Sequence, residues 1–430
     1  MQENGVIVIG GGPAGMMAAA RAAALGVQVC LLEKNDCLGK KMLITGGGRC
    51  NLTNDTDIQT VIANIPGNGK FVYSALHRFT PQDLRHFLLK LGVPTKVEDQ
   101  GRVFPVSDRA GQVVQALEQY LRQQGVTVRY KSQVDGLLVK DRRCLGVQAG
   151  SHTFRAGAVV LATGGMSYPH TGSTGEGYAM ARRWGHNITE LFPAAVAVTC
   201  NDAWITERQV QGVSLSGVKI VLYNSGGKVM AAEQGDVIFT HWGLSGPAAL
   251  RLGRAVALAQ QRQPGVMLKG EMDILPDQSP DLLAKRLLQR VQEGDRRSLK
   301  NLLADWLPER LARVLVKLAD ISPDATWGQV DKGACQRLLA LVKKLPLQIT
   351  GTRPLAEATV TGGGINIKEI DPRTMGSRLI KGLFLAGEVL DVDAHTGGYN
   401  MQVAFSTGYV AGESAAACCK ETLDERNTFM

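Results

Sequence analysis

Six residues near the start of the chain, Gly10-Gly11-Gly12-Pro13-Ala14-Gly15, have the types and spacing of a phosphate-binding turn. They meet the pattern G-x-G-x-x-G between an apolar run at 6–9 and an Ala-rich stretch at 16–24. In that strand–loop–helix setting Gly10 permits a tight turn. Gly12 lets the backbone approach a pyrophosphate, and Gly15 lets helix and strand pack closely. Pro13 and Ala14 open the helix, whose free N–H groups then face the phosphates. A second apolar run, 27–32, ends in Glu33, 18 residues after Gly15. A carboxylate there accepts both hydroxyls of an adenosine ribose and repels a 2′-phosphate, so the tightly held nucleotide is expected not to be NADP.

The segment 39–54 follows directly. Gly46, Gly47 and Gly48 leave little side chain to pack and fit a loop lying flat against a planar ring. Because it leaves the adenosine end, this loop can reach an isoalloxazine. Arg49 can meet a phosphate or a substrate carbonyl. Cys50 is a small acid whose proton could pass to a substrate carbon, and it reads equally as a small buried filler. Asn51, Thr53 and Asn54 can hold flavin or loop backbone. Two later segments belong with these. Residues 158–165 run from a buried strand into Ala162-Thr163-Gly164-Gly165, which resembles the Ala-Thr-Gly turn of two-dinucleotide-domain flavoproteins. Residues 382–388 end in Gly387-Glu388, similar to the Gly-Asp that holds the ribityl and pyrophosphate region there, with one extra methylene. Then come His395, Thr396, Gly397, Gly398, Tyr399, Asn400, Met401 and Gln402, and a small-residue helix expected at 403–417. The positive end of that helix would sit at the pyrimidine edge of a flavin.

These parts predict a cofactor domain closed from both ends of the chain, 1–193 and 350–430. The insertion is expected to hold a β-rich domain, 194–278 plus 346–350, with strand-like runs at 196–199 and 218–223. A helical subdomain is expected at 279–345. There Leu282, Leu283, Leu287, Leu288 and Val291 form an apolar stripe, Ser298 can cap one helix, and Asp331 or Lys332 begins another. With 430 residues the chain can bury a large core. The first strand begins almost at once, so no secretory signal is expected, and no apolar run approaches the ~18–20 residues of a membrane span. Eight cysteines without a C-x-x-C pair are expected to be reduced cytoplasmic thiols, with no metal bound. The last ten residues read as a frayed tail. The formal charge is +9. Residues 281–350 carry 13 Lys and Arg against 8 acids, so +5 of it lies in the helical piece. Its densest run is Lys285, Arg286, Arg290, Arg296, Arg297 and Lys300, readable as a phosphate-binding surface or as a solvated helix face.

Four segments together resemble the BaiN/RdsA-like family of FAD-dependent oxidoreductases: 46–54, 239–247, 361–365, and 386–388 with 396–402. The resemblance covers essentially the whole chain. It implies an α/β fold: a Rossmann-like FAD-binding domain with an inserted β-rich domain and a small helical domain. It also implies one of two activities, reduction of a specific uridine to dihydrouridine in large-subunit ribosomal RNA with NADH, or reduction of a bile-acid dienone. By the resemblance, FAD would be held by the glycine loop, Glu33, Lys34, Lys41, Gly47, Gly48, Arg49, Asn51, Val134, Thr163, Gly164, Gly387, Glu388, Gly398, Tyr399, Asn400 and Met401. Both substrates carry a C=C conjugated to a carbonyl. Hydride delivery to the β carbon sends charge to the carbonyl oxygen, and a proton must reach the α carbon. Arg49 or Arg353 could stabilise that oxyanion; Cys50, His241 or His395 could be the acid. Arg353, next to Pro354 and near Glu357, could instead only fix a turn. No second glycine fingerprint exists, so NADH is expected to visit and leave. A small-molecule ene-reductase, or a non-catalytic FAD-stabilised RNA-binding factor, are the alternatives.

Overall fold

The apolar run at 6–9 is the inner part of a strand, β1 (Asn4–Ile9), whose Val6, Ile7 and Val8 are fully buried. A continuous apolar run is what a parallel strand covered on both faces requires. In the computed structural model, which describes residues 4–428 apart from the side chains of Asn4, Val291 and 422–428, β1 lies inside a seven-stranded sheet. It pairs in parallel with β2 (Val29–Leu32) on one side and His152–Leu161 on the other. Thr127–Arg129 adds beyond β2, and Leu383–Leu385 adds to His152–Leu161, both parallel. Gly136–Lys140 and Arg143–Ala149 continue the sheet in antiparallel fashion. The crossover from β1 to β2 is α1 (Pro13–Ala24), eight of whose twelve residues are alanine or glycine. This is the Rossmann arrangement.

The C-terminal helix Tyr399–Thr428 lies against α1 at very short range. A Cβ placed on Gly408 would come within 2.3 Å of Ala14 O, and one on Gly412 within 2.2 Å of Ala18 O. The helix starts four residues earlier than its sequence suggests, because Gly397 and Gly398 take positive φ (+133° and +97°) and make the turn into it. It also continues through the stretch expected to fray, as far as Thr428; Phe429 and Met430 lie outside the described residues.

The chain divides into two compact units, 1–192 with 355–430, and 193–354. In the second, six strands close a barrel in the order Val198–Cys200, Gly243–Ser245, Val229–Phe239, Ser214–Tyr223, Leu268–Asp273, Leu345–Thr352. Alternate residues Val218, Ile220 and Leu222 fill its interior. The strand Leu345–Thr352 runs past residue 350, and the division falls after Pro354, so Arg353 belongs to this unit. The helical piece comprises Pro280–Gln292, Leu299–Leu303, Glu309–Leu318 and Lys332–Lys343. Asp331 caps the last by accepting from the Ala334 N–H at 2.9 Å. Ser298 stands at the start of its helix but makes no side-chain cap, and its hydroxyl is buried without a partner. The apolar stripe is narrower than its composition implies: Leu283 and Leu287 are buried, whereas Leu282 and Leu288 are exposed. Among the described residues no helix is long and apolar enough to cross a membrane.

Candidate active site

The glycine loop does three different jobs. Gly10 has φ +101°, and a Cβ there would lie 2.5 Å from Ala162 O; on Gly15 it would lie 1.9 Å from Gly10 O. Those two positions are closed by packing. At Gly12 a Cβ would meet nothing within 4 Å. α1 starts at Pro13 with Gly12 as its N-cap and no side-chain cap, so the positive end of the helix opens onto that space. Glu33 leaves the end of β2 and is held by the loop. Its Oε2 accepts from the Gly11 N–H at 2.6 Å, and its Oε1 accepts from the backbone and side-chain amides of Asn35, both at 2.8 Å. Ser132 donates to the Glu33 carbonyl, which brings the loop of the buried Val134 to the same edge. Lys34 reaches Thr174 and Glu176, both at 2.6 Å.

The turn Ala162-Thr163-Gly164 returns beside this loop, with the Ala162 N–H on Ile9 O at 2.9 Å. The Thr163 hydroxyl is buried and unpartnered, a polar group that a ligand would satisfy. Glu388 turns inward. It accepts from Lys41 Nζ (2.8 Å), Ser167 Oγ (3.1 Å) and the Thr361 N–H (2.8 Å). Thr361 Oγ1 in turn accepts from the N–H groups of Met166 and Ser167. Gly387, with φ +76°, sits against Ala14 in the first turn of α1. Open space at Gly12, an uncapped helix start and an orphaned Thr163 hydroxyl converge in one unit, and they fit FAD. Ser167 and Asn35 escape the sequence reading, and Thr361 enters it only within the family segment 361–365; Asn35 adjoins Lys34 and Ser167 stands two residues past Gly165.

Residues 42–48 make 3-10 turns broken at Thr45–Gly47, with Gly46, Gly47 and Gly48 at φ +58°, +70° and +87°. Both Arg49 and Cys50 donate their N–H to Thr45 O. Cys50 is fully buried at φ +65°, and burial pushes its thiol up to about 12, with a hydrogen bond to Thr45 opposing. The amide of Asn51 lies among Gly398 N (3.1 Å), Thr53 O (3.1 Å) and Val103 O (3.3 Å), with its oxygen toward Gly398. Thr53 donates to Gln402 at 2.7 Å, and Asn54 to Gly397 O at 3.2 Å. A Cβ on Gly398 would be 2.2 Å from Thr53 O. The glycine loop and the start of the C-terminal helix, with half-buried Asn400 and Met401 and buried Tyr399, are therefore one assembly. His395 joins it. Its N–H donates to Asn64 O (2.9 Å), its ring Nδ1 lies 3.4 Å from Asn64 Oδ1, and Asn400 donates to its carbonyl.

Arg49, expected to face phosphate or substrate, is engaged by Asp108 and Glu98. His241 and Arg353 lie in the barrel unit. His241 is exposed at the tip of the turn 240–243, and the Arg353 guanidinium lies 5.2 Å from the Trp242 ring centroid. In the helical piece the basic run is partly neutralised. Arg297 pairs with Asp295 and Asp305 (2.8 Å each), Arg290 with Asp305 (3.4 Å), and Lys300 with Asp324 (2.8 Å). Lys285, Arg286 and Arg296 are exposed and have no carboxylate partner among the described residues.

The family described as HI0933-like protein Rossmann domain matches residues 4–414. A Clostridium scindens protein named 3-dehydro-bile acid delta(4,6)-reductase is 32% identical over 416 residues, 96% of this chain and 99% of its own length. An Escherichia coli protein named ribosomal RNA dihydrouridine synthase is 33% identical over 422 residues, 97% of this chain and 99% of its own. Among solved structures, a 3-ketosteroid delta1-dehydrogenase from Sterolibacterium denitrificans in complex with 1,4-androstadiene-3,17-dione aligns with a TM-score of 0.54 at 14% identity. That alignment covers 97% of this chain and 100% of that one, a likeness of fold.

Proposed function

The chain belongs to the HI0933-like family, and from that premise we propose that it is an FAD-dependent reductase of a conjugated C=C. Its proposed substrate is a specific uridine of large-subunit (23S) ribosomal RNA, reduced to dihydrouridine with NADH as the electron source. The observation that carries the reading is the cradle: open space at Gly12 beneath an uncapped helix start, with Glu33 and Thr163 at its edges. The names of the two relatives describe the same bond change, saturation of a C=C beside a carbonyl, on different molecules.

In this reading Gly10, Gly12, Pro13, Ala14 and Gly15 receive the pyrophosphate, and Glu33 the adenosine ribose. Lys41 and Glu388 would hold the ribityl region, and the helix start at 399–401 would serve the pyrimidine edge of the flavin. Bound FAD would supply a hydride to the β carbon, C6 of the uracil ring. The chain must hold that ring flat, exclude water and deliver a proton to C5. His395 is the proposed donor. Its ring is anchored at Nδ1 by Asn64, and an imidazole can hold and pass on a proton at its other nitrogen. The Cys50 thiol is buried and pushed up to about 12, which makes it a poor proton donor. A stacked uridine must be unstacked to enter, which a basic surface holding the flanking phosphates assists.

The charge of +9 supports RNA as substrate. A small enone as substrate is the second reading. It is favoured by the ion pairs of Arg290, Arg297 and Lys300, which offset half of the basic run. Mass spectrometry of ribosomal RNA nucleosides, with and without the gene, separates the two. Loss of dihydrouridine, restored in vitro by the yellow protein with NADH, is the expected result. Unchanged dihydrouridine beside an NADH-active yellow protein overturns the RNA reading in favour of the enone.

A further inference from the structure

Arg49 is the one cation in the stretch from Met42 to Asn54, and its guanidinium is engaged by the protein through Nε and Nη2. Nε donates to Asp108 Oδ1 at 2.9 Å, Nη2 lies 2.8 Å from the same oxygen, and Nη2 also donates to Glu98. The guanidinium carbon sits 4.1 Å from the centroid of the Phe104 ring. Phe104 in turn closes on the loop, since a Cβ on Gly46 would lie 3.0 Å from its Cε1. Lys96 completes the cluster at 3.3 Å from Glu98 and 2.5 Å from Asp108, so two cations face two anions. A two-pronged, ring-stacked arginine in a network is the geometry in which a part-exposed ion pair does matter.

These partners lie on and beside one small antiparallel sheet. Thr95–Val97 and Thr53–Asn54 flank Arg102–Pro105, and Glu98 and Asp108 follow its strands. The opposite side of the loop is tied by Thr45 O, which accepts from the N–H groups of both Arg49 and Cys50. Between the two lies Cys50, a non-glycine residue at φ +65° with its side chain wholly buried. A strained backbone of this kind persists only where its surroundings over-determine it.

We propose that Arg49 is a positioning residue. It clamps residues 45–50 onto the sheet of Phe104, holds Cys50 in its left-handed conformation, and does not itself meet phosphate or substrate. The proposal deepens the reading above and rests on it only for the loop's task as floor of the reducing site. It reverses a sign. If Arg49 stabilised an oxyanion directly, removing Glu98 and Asp108 as anions would free its charge and preserve or raise turnover. If it is a clamp, their removal mimics its own loss.

The test compares full-length Arg49→Ala, Arg49→Lys and the double variant Glu98→Gln/Asp108→Asn. Amide hydrogen exchange over residues 45–51 is expected to speed up by about tenfold or more in Arg49→Ala and in the double variant. Arg49→Lys, which keeps the charge but not the fork, should fall between them and the parent. On the reducible substrate both loosened variants should lose kcat by about tenfold, with KM changed by less than about threefold. The clamp is overturned by a double variant whose exchange stays within about twofold of the parent, whatever its turnover. Exchange needs neither FAD nor substrate, so it decides the clamp even if the proposed reaction proves wrong. Asp108→Asn alone, which removes one of the two anions, gives the same readout if the double variant does not fold.

Discussion

Gly12 and Gly15 sit three residues apart and make opposite demands. Alanine at Gly15 must displace Gly10 O from 1.9 Å, an overpacking expected to cost about 1–3 kcal/mol and to lower the urea midpoint of folding. Alanine at Gly12 enters open space on an ordinary backbone (φ −76°), so the fold should keep its midpoint. If that space receives the pyrophosphate, Gly12→Ala should bind FAD about tenfold more weakly or worse, read by flavin fluorescence on titration. Equal FAD affinity in Gly12→Ala and parent would move the cofactor elsewhere. A second residue has a pH signature. His186 is buried, with Nδ1 2.9 Å from Glu369 and Nε2 2.9 Å from Ser377. Burial pulls its pKa below the usual histidine value, and the Glu369 carboxylate opposes this less strongly. The folded state therefore binds this proton less readily than the unfolded chain, and stability falls as pH drops below about 6.5. Urea midpoints at pH 8 and pH 5.5 should differ more in the parent than in His186→Gln. An equal pH dependence in both proteins would rule out His186 as the source.

Among the elements, α1 and the C-terminal helix depend on each other most closely. Gly412→Ala would drive a methyl into Ala18 O at 2.2 Å, and the expected loss is about 1–3 kcal/mol in thermal or urea unfolding. An unchanged midpoint would mean that the helices slide apart without cost. This level also shows where the sequence could be read and where it could not. Gly10, Gly12, Gly15 and the turn Ala162-Thr163-Gly164 were legible because a backbone requirement dictates the residue type locally. The start of the C-terminal helix was placed four residues late because Gly397 and Gly398 set it, and small residues alone do not mark a helix start. Glu388 looked like a cofactor ligand from its strand-end position, yet its carboxylate is directed by Lys41, Ser167 and Thr361 from three other segments. The partners of Arg49 are illegible for the same reason: Glu98 and Asp108 lie 49 and 59 residues further on, and only the folded sheet brings them back. The barrel was seen only as scattered strands, since its closure depends on short pairings such as Val198–Cys200 with Leu345–Thr352, interrupted by a bulge.

Charge acts at the scale of the whole molecule. The excess of +9 is real, but ion pairs redistribute what a polyanion would meet. Arg297 faces two aspartates, and Lys300 and Arg290 face one each. Within the dense run 285–300 the cations without a carboxylate partner among the described residues are Lys285, Arg286 and Arg296, and replacing all three by alanine should lower the salt slope of RNA binding by about 2. An unchanged slope would remove this surface from RNA recognition, whatever the reaction proves to be. Finally, the pairing of α1 with the C-terminal helix has a consequence for synthesis. Residues 13–24 leave the ribosome well before residues 399–428, and the phosphate-binding turn rests on a helix pair that forms only when both are present. A nascent chain must carry its first domain half-built through translation of the entire barrel insertion. If the turn holds a flavin, loading is expected only after the C-terminal helix has been made, and a chain truncated before residue 399 should be colourless.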